Sequence, residues 1–298
     1  MMKMRIAPTV RATTYRAKFV RAGLGLSALG VLLISASCAR SVNNNSVDTV
    51  RINGSNGVLP LARALGKAYM AATPGATVEF GDGIGSRTRM DSLRAGVMDV
   101  ALASHGLDTA ALRTEGMRVI RFAESPVVIG VHAGSVSLAD ISEAQLCDVI
   151  AGRTTSWRAL GDGRDLPITV VMRPENEVDT EVLRDRVPCA KTLAVSATAR
   201  VVQETADMAR ALTETEGAVG VTTSTVVTQS EGAIRALSLN GVRPSPTTVR
   251  SGKYALVRSS YLVTRAGANA AVDQFLSFVA SDAGRAVLEA NGSLAVVP

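Results

Sequence analysis

The feature that most constrains this chain is a strand–turn–helix unit that occurs twice between Asn53 and Leu107. The turn Asn53-Gly54-Ser55-Asn56-Gly57 opens onto an apolar-periodic run from Val58 to Ala72. After a Pro-Gly break, the strand-like Thr77-Val78-Glu79-Phe80 leads into Gly81-Asp82-Gly83-Ile84-Gly85-Ser86. A second helical run, Thr88 to Ala95, precedes Val100-Ala101-Leu102-Ala103, which ends at Ser104-His105. Val58, Leu61, Ala62, Leu65 and Tyr69 share one helical face, so the first helix packs on a core. The βαβαβ alternation argues for a parallel sheet with helices on its faces. The first N–H groups of each helix lack intrahelical partners and carry the positive end of the helix dipole. Two such turns facing one point make an anion cradle that needs neither lysine nor arginine.

Charge and length narrow the alternatives. The 298 residues suit two lobes of ordinary domain size. Six of the 32 lysines and arginines (Lys3, Arg5, Arg11, Arg16, Lys18, Arg21) precede residue 38 with no acid among them, leaving 26 basic against 26 acidic residues. A near-neutral chain with 3% aromatic residues shows neither a phosphate-backbone footprint nor a base-stacking surface, so no nucleic-acid partner is expected. Residues 1–37 read as a signal peptide: a basic segment, the apolar run Leu24 to Ile34, then small residues before Cys38. The apolar run is too short for a permanent span, which points to export. Ser35-Ala36-Ser37-Cys38 resembles a bacterial lipoprotein cleavage site with Cys38 as the lipidated residue, although Ser35 stands where Leu is usual; plain signal-peptidase cleavage is the alternative. Residues 38–48 are polar and Asn-rich, as a tether is. Cys147 and Cys189 read equally as a disulfide of an exported protein or as two buried thiols.

Further strands are expected at Val119–Phe122 and Pro126–Val131, the latter a continuous apolar run. A helix starts at Ser142, whose spacing to Gln145 is that of a capping box. Trp157 reads as a packing residue. Leu166–Met172 is a strand ending at Arg173, and the acid-rich turn Pro174-Glu175-Asn176-Glu177-Val178-Asp179 leads into a helix. Ala206–Thr213 reads as helix, Gly217–Val221 as strand and Arg243–Thr248 as a Pro-interrupted loop. Tyr254–Thr264 is expected to be a strand pair, followed by helices at Ala270–Ala280 and Asp282–Ala290.

Several segments together resemble the phosphate-type solute-binding proteins of bacterial ABC importers: Gly54 to Pro60, Gly83-Ile84-Gly85-Ser86, Asp99 to Ser104, Ile141 to Trp157, Val170 to Arg173, Gly217 to Gly220 and Tyr261 to Thr264. The resemblance implies an α/β, two-lobed periplasmic-binding-protein fold, each lobe a mostly parallel sheet flanked by helices, with two hinge crossovers. Lobe 1 would be residues 49–129 and 257–298, and lobe 2 residues 130–256. It implies a small oxyanion, phosphate or similar, held in the interlobe cleft by Ser55, Asn56, the Gly57 amide, Ser86, Ser104, His105, Arg173, Glu177 and Asp179. It implies an ABC permease as partner, a monomer touching the membrane only through a lipid anchor, and no cofactor, metal or catalysis. Arg173 matches the cleft arginine of the second lobe, suited to bidentate oxyanion contacts.

The sequence departs from that family after Arg173. Glu177-Val178-Asp179 stands where a Ser-Gly-Thr turn is usual, and carboxylates repel a dianion. Three readings compete: an acid accepts the proton of a monohydrogen oxyanion, the site takes a ligand with a cationic or hydroxyl group, or both acids face solvent at an acidic helix start. Arg173 has an alternative as well, an ion pair with Asp179 or Glu175. Two other functions remain beside transport. One is a ligand-sensing or partner-binding module of the same fold. The other is a hydrolase built from Ser86, His105 and Asp179, for which no Gly-x-Ser-x-Gly elbow is present and no complete Walker loop, Gly66-Lys67 being followed by Ala68.

Overall fold

The computed structural model describes residues 49–296, so the expected leader, Cys38 and the tether lie outside the described residues. The first part of the chain forms β1 (Thr49–Gly54), α1 (Leu59–Ala72), β2 (Thr77–Phe80), α2 (Ser86–Arg94), β3 (Val100–Ser104) and α3 (Thr109–Thr114). β4 (Met117–His132), β5 (Asp140–Ile141), α4 (Glu143–Ile150), β6 (Thr169–Met172) and α5 (Val178–Arg186) follow. The chain then makes β7 (Arg200–Val201), α6 (Thr205–Glu214), β8 (Ala218–Thr223), α7 (Ser224–Gln229), β9 (Ile234–Ala236) and β10 (Ser238–Leu239). It closes with α8 (Pro246–Arg250), β11 (Val257–Arg265), α9 (Ala270–Ala280), α10 (Asp282–Ala290) and β12 (Leu294–Ala295).

The main sheet runs in the order β2-β1-β3-β11-β4-β8-β6-β7, with β9 and β12 also pairing with β4. Its flanks are parallel: β1 with β2 and β3, and β6 with β7 and β8. Its middle is antiparallel, β11 with β3 and β4, and β4 with β8. The two largest apolar cores among the described residues flank this middle. One gathers Ile52, Leu61, Leu65, Leu102 and Phe275; the other gathers Ile129, Leu146, Trp157, Leu183 and Val219. All five residues of the amphipathic face expected on the first helix, Val58, Leu61, Ala62, Leu65 and Tyr69, are buried in the first core. Pro60 sits in the first turn of α1, where its missing N–H costs nothing. Trp157 is fully buried in the second core and its Nε1–H donates to the Gly217 carbonyl at 2.9 Å.

Three expectations are corrected. Val119–Phe122 and Pro126–Val131 are not separate strands; both belong to the 16-residue β4. Pro126 lacks an N–H, yet it falls where the strand changes partners, pairing with β11 up to Pro126 and with β8 from Val127. The expected strand pair at Tyr254–Thr264 is the single strand β11, beginning at Val257. The expected loop at Arg243–Thr248 runs into the start of α8, because Ser245 and Thr248 form a capping box and Pro246 suits a first turn. The capping box at Ser142 and Gln145 is present at the start of α4.

Cys147 in α4 and Cys189, in the short 3-10 turn after α5, are joined by a disulfide across 42 residues. The closed loop contains β6, Arg173, the acidic turn and α5. No helix among the described residues is long and apolar enough to cross a membrane.

Candidate functional site

The first turn is built by its backbone. Gly54 ends β1 at φ +141°, and a Cβ there would lie 2.3 Å from the Leu102 carbonyl oxygen, so no larger residue fits. The Ser55 N–H donates to that carbonyl at 2.9 Å, and the Ser55 carbonyl accepts from Val58 and Leu59 at 3.0 and 3.1 Å. Asn53 Oδ1 accepts from the N–H groups of Gly54 and Gly83 at 2.8 and 2.9 Å, which binds the two glycine turns side by side. Asn56 Oδ1 packs on Gly83, is buried, and has no hydrogen-bond partner among the described residues. Ser86 opens α2 behind Gly85, and its side chain lies outside what is described.

The space in front of Gly57 corrects the expectation of a cradle without lysine or arginine. A Cβ on Gly57 would lie 2.2 Å from Arg258 Nη1, so a guanidinium rests against this turn. Arg258 is 2% exposed; its Nη1 donates to Asp179 Oδ1 at 2.6 Å and its Nη2 to Ser104 Oγ at 2.6 Å. Strand alternation explains the placement: Arg258, Ser260, Leu262 and Thr264 share the buried face of β11. That phase was visible in the sequence, but its partner lies 79 residues away and no local signal names it.

Asp179 does not face solvent. It is 5% exposed in the first turn of α5, where both the helix dipole and Arg258 favour its charge. Arg173, at the end of β6, pairs with neither Asp179 nor Glu175. Glu175 instead meets Arg184 at 2.8 Å, largely in solvent. Arg173 is 4% exposed, donates from Nη1 to Thr205 Oγ1 at 3.0 Å, and lies 2.9 Å through Nη2 from a Glu177 carboxylate oxygen. That last contact is an ion pair without hydrogen-bond geometry: Nε and Nη2 of Arg173 have no hydrogen-bond acceptor among the described residues. Thr205 and Arg258 are thus site residues that the sequence reading missed. Arg89 of α2 is also buried, with its aliphatic part against Gly54; burial lowers its pKa from the usual arginine value. His105 is half-buried in the turn after β3 and makes no hydrogen bond to Asp179 among the described residues.

Thr205, the partner of Arg173, also lines a cavity of about 460 Å³ with Asn56, Asp82, Gly83 and Glu204 among others. It shares Pro60, Arg63, Thr205 and Ala206 with a neighbouring cavity of about 680 Å³ between α1, α6 and α7. The N-termini of α5 and α6 both begin at the cluster, at Glu177 and Glu204, and add positive potential to that of the arginines. The guanidinium forks suit a group with several acceptor oxygens, while Glu177, Asp179 and Glu204 place negative charge beside them.

Glu177 is the tunable group. Its carboxyl is held above the ordinary glutamate value, first by burial and then by the nearby Asp179, although Arg173 opposes both. A raised acid pKa means the folded protein binds this proton more tightly than the unfolded chain. The associated stability is present below the unfolded value and is lost as pH rises through the folded one. Glu177→Gln is accordingly expected to melt at or above the wild-type temperature at pH 7, with the difference closing as the buffer is taken below pH ~4.5. Paired thermal melts across that range check it, and a variant less stable at pH 7 than at pH 4 relative to wild type refutes it.

A family model for the PBP superfamily domain matches residues 40–283. No curated protein matches the chain. Among solved structures, a phosphate ABC transporter substrate-binding protein from Clostridium perfringens, described as putative and holding phosphate, is similar at 20% identity. That likeness covers 84% of this chain and 100% of the other, with a TM-score of 0.69. The high-affinity periplasmic phosphate-binding protein PfluDING, also with phosphate bound, matches at 19% identity over 83% of this chain and 90% of its own, TM-score 0.61. An ABC-type phosphate transport receptor from Vibrio cholerae matches at 21% over 82% and 99%, TM-score 0.57. At these identities the likeness is one of fold. Since the superfamily profile spans most of its length, the chain belongs to the PBP superfamily and has the two-lobed periplasmic-binding-protein fold.

Proposed function

We propose that this protein is an extracytoplasmic solute-binding receptor that captures a small oxyanion, phosphate or a phosphate-like group, between its lobes and delivers it to an ABC permease. The observation that carries the reading is Arg173: a buried guanidinium whose Nε and Nη2 make no hydrogen bond among the described residues, Nη2 meeting Glu177 only as an ion pair, and whose Nη1 is held by Thr205, a lining residue of the 460 Å³ cavity. Buried donors of this kind are rarely left without a partner, and an oxyanion supplies acceptors in the fork geometry a guanidinium demands. The phosphate-binding proteins of like fold support the same ligand class and a role in binding rather than catalysis. The division into lobe 1 (49–129 and 257–298) and lobe 2 (130–256) belongs to this proposal. So do export through residues 1–37, anchoring at Cys38 and a monomeric state.

The test is a thermal-shift screen of residues 39–298 against phosphate, sulfate, molybdate, phosphonates and small organic acids. A ligand at a hundredfold excess over its dissociation constant adds about 2.7 kcal/mol of stability. Arg173→Ala is expected to abolish that gain. If no anion shifts the melt, or the variant responds as wild type does, the receptor reading is wrong.

A further inference from the structure

Resting on the receptor reading above, we infer that Asp179 is a tethered anion: its carboxylate occupies the oxyanion position of the half-site formed by Arg258, Ser104 and the Gly57 turn, and it must leave before a free oxyanion enters there. The half-site lies on the first core and its present occupant on the second. Arg258 extends from β11, Ser104 ends β3, and Gly57 lies just before α1, whose apolar face fills the first core. Asp179 rides on α5, whose Val182 and Leu183 pack in the second core. The carboxylate accepts from Arg258 Nη1 at 2.6 Å, and Nη2 of the same guanidinium reaches the Ser104 hydroxyl at 2.6 Å. All three side chains are at most 5% exposed. A guanidinium with a carboxylate on one arm and a hydroxyl on the other, lying over a glycine turn, already has the surroundings of a bound oxyanion. Here the oxyanion is part of the chain.

This arrangement has consequences for specificity. A group attached to the protein competes at an effective concentration in the millimolar range or above, so a free anion must displace it as the second core swings away. Arg258 Nε, buried and without a hydrogen-bond partner among the described residues, leaves a donor that the monodentate Asp179 contact does not use. A tetrahedral oxyanion carries more acceptor oxygens than the carboxylate and can reach that donor as well. Asp179 thus sets a threshold that weak, monodentate anions fail to pass.

The experiment compares wild type, Asp179→Ala, Asp179→Ser and Asp179→Ser with Arg258→Met. Formate and inorganic phosphate are the probes, read by thermal shift and by isothermal titration calorimetry. The single variants are expected to bind phosphate on the order of tenfold tighter than wild type or better, the gain from removing a tethered competitor. They are also expected to be stabilised by millimolar formate, which does not shift wild type. The double variant is expected to show neither response. Asp179→Ser, with a small polar group suited to a helix first turn, carries the test if the alanine variant does not fold. A phosphate affinity unchanged from wild type, or a gain that survives loss of Arg258, overturns the inference. Phosphate binding by wild type that needs Arg173 but is indifferent to Asp179 would leave the receptor reading standing and this inference refuted. Binding by the Asp179 variants alone would support the tethered anion and refute the wild-type receptor.

Discussion

Arg258→Ala is expected to lower the stability of the fold by about 3–5 kcal/mol, the usual cost of removing one partner of a buried ion pair. The loss is large because the Asp179 carboxyl, 5% exposed, loses the guanidinium it pairs with, and the Ser104 hydroxyl loses its donor at the same time. In thermal terms a chain of this size should melt about 10 °C lower. The pair itself is a weaker contributor than this figure suggests, since two charges had to leave water to form it. Arg258→Met combined with Asp179→Leu is therefore expected to recover most of the loss. Urea unfolding of the two variants beside wild type separates the cases. A single variant within about 1 kcal/mol of wild type would mean that water reaches Asp179 and that the pair is effectively a surface contact.

Loss of the Cys147–Cys189 bridge is expected to cost about 4 kcal/mol, from the entropy that a cross-link spanning 42 residues removes from the unfolded chain. A variant with both cysteines replaced by alanine probes the bridge without reductant. Because the closed loop holds Arg173, Glu177 and Asp179 together, the same variant is expected to bind its anion less tightly even where it remains folded. Denaturant midpoints and anion titrations on one preparation measure both effects. An unchanged midpoint in the doubly substituted chain would show that the unfolded state is not constrained by the bridge.

What could be read in the sequence was what short-range chemistry determines. The helix at Ser142 announced itself by its cap, and the final helices at Ala270–Ala280 and Asp282–Ala290 by the period of their apolar residues. The two glycine turns and the arginine at the end of β6 were identifiable because turn residues and strand ends carry local signatures. What escaped was non-local. Pro126 reads as a strand boundary from its neighbours alone, whereas the sheet tolerates it because the strand exchanges partners there. The acidic turn, read by itself, suits a solvated helix start. The burial of Asp179 at its end follows only once Arg258 is brought against it from the far end of the chain. Thr205 gave no signal at all, being an ordinary threonine at a helix start until Arg173 is placed beside it.

The imino acid in the middle of the longest strand bears on motion. Where β4 passes from the first core to the second, Pro126 has no amide hydrogen to give up, so the crease along which the halves would flex forfeits no ladder donor at that residue. Its neighbour Val127 is secured on both polar groups, the N–H to Leu256 and the carbonyl to the Tyr254 hydroxyl. The ring fixes φ at Pro126 and two hydrogen bonds hold Val127, so a rotation of the halves would draw on ψ of Pro126 and on the residues beyond this pair.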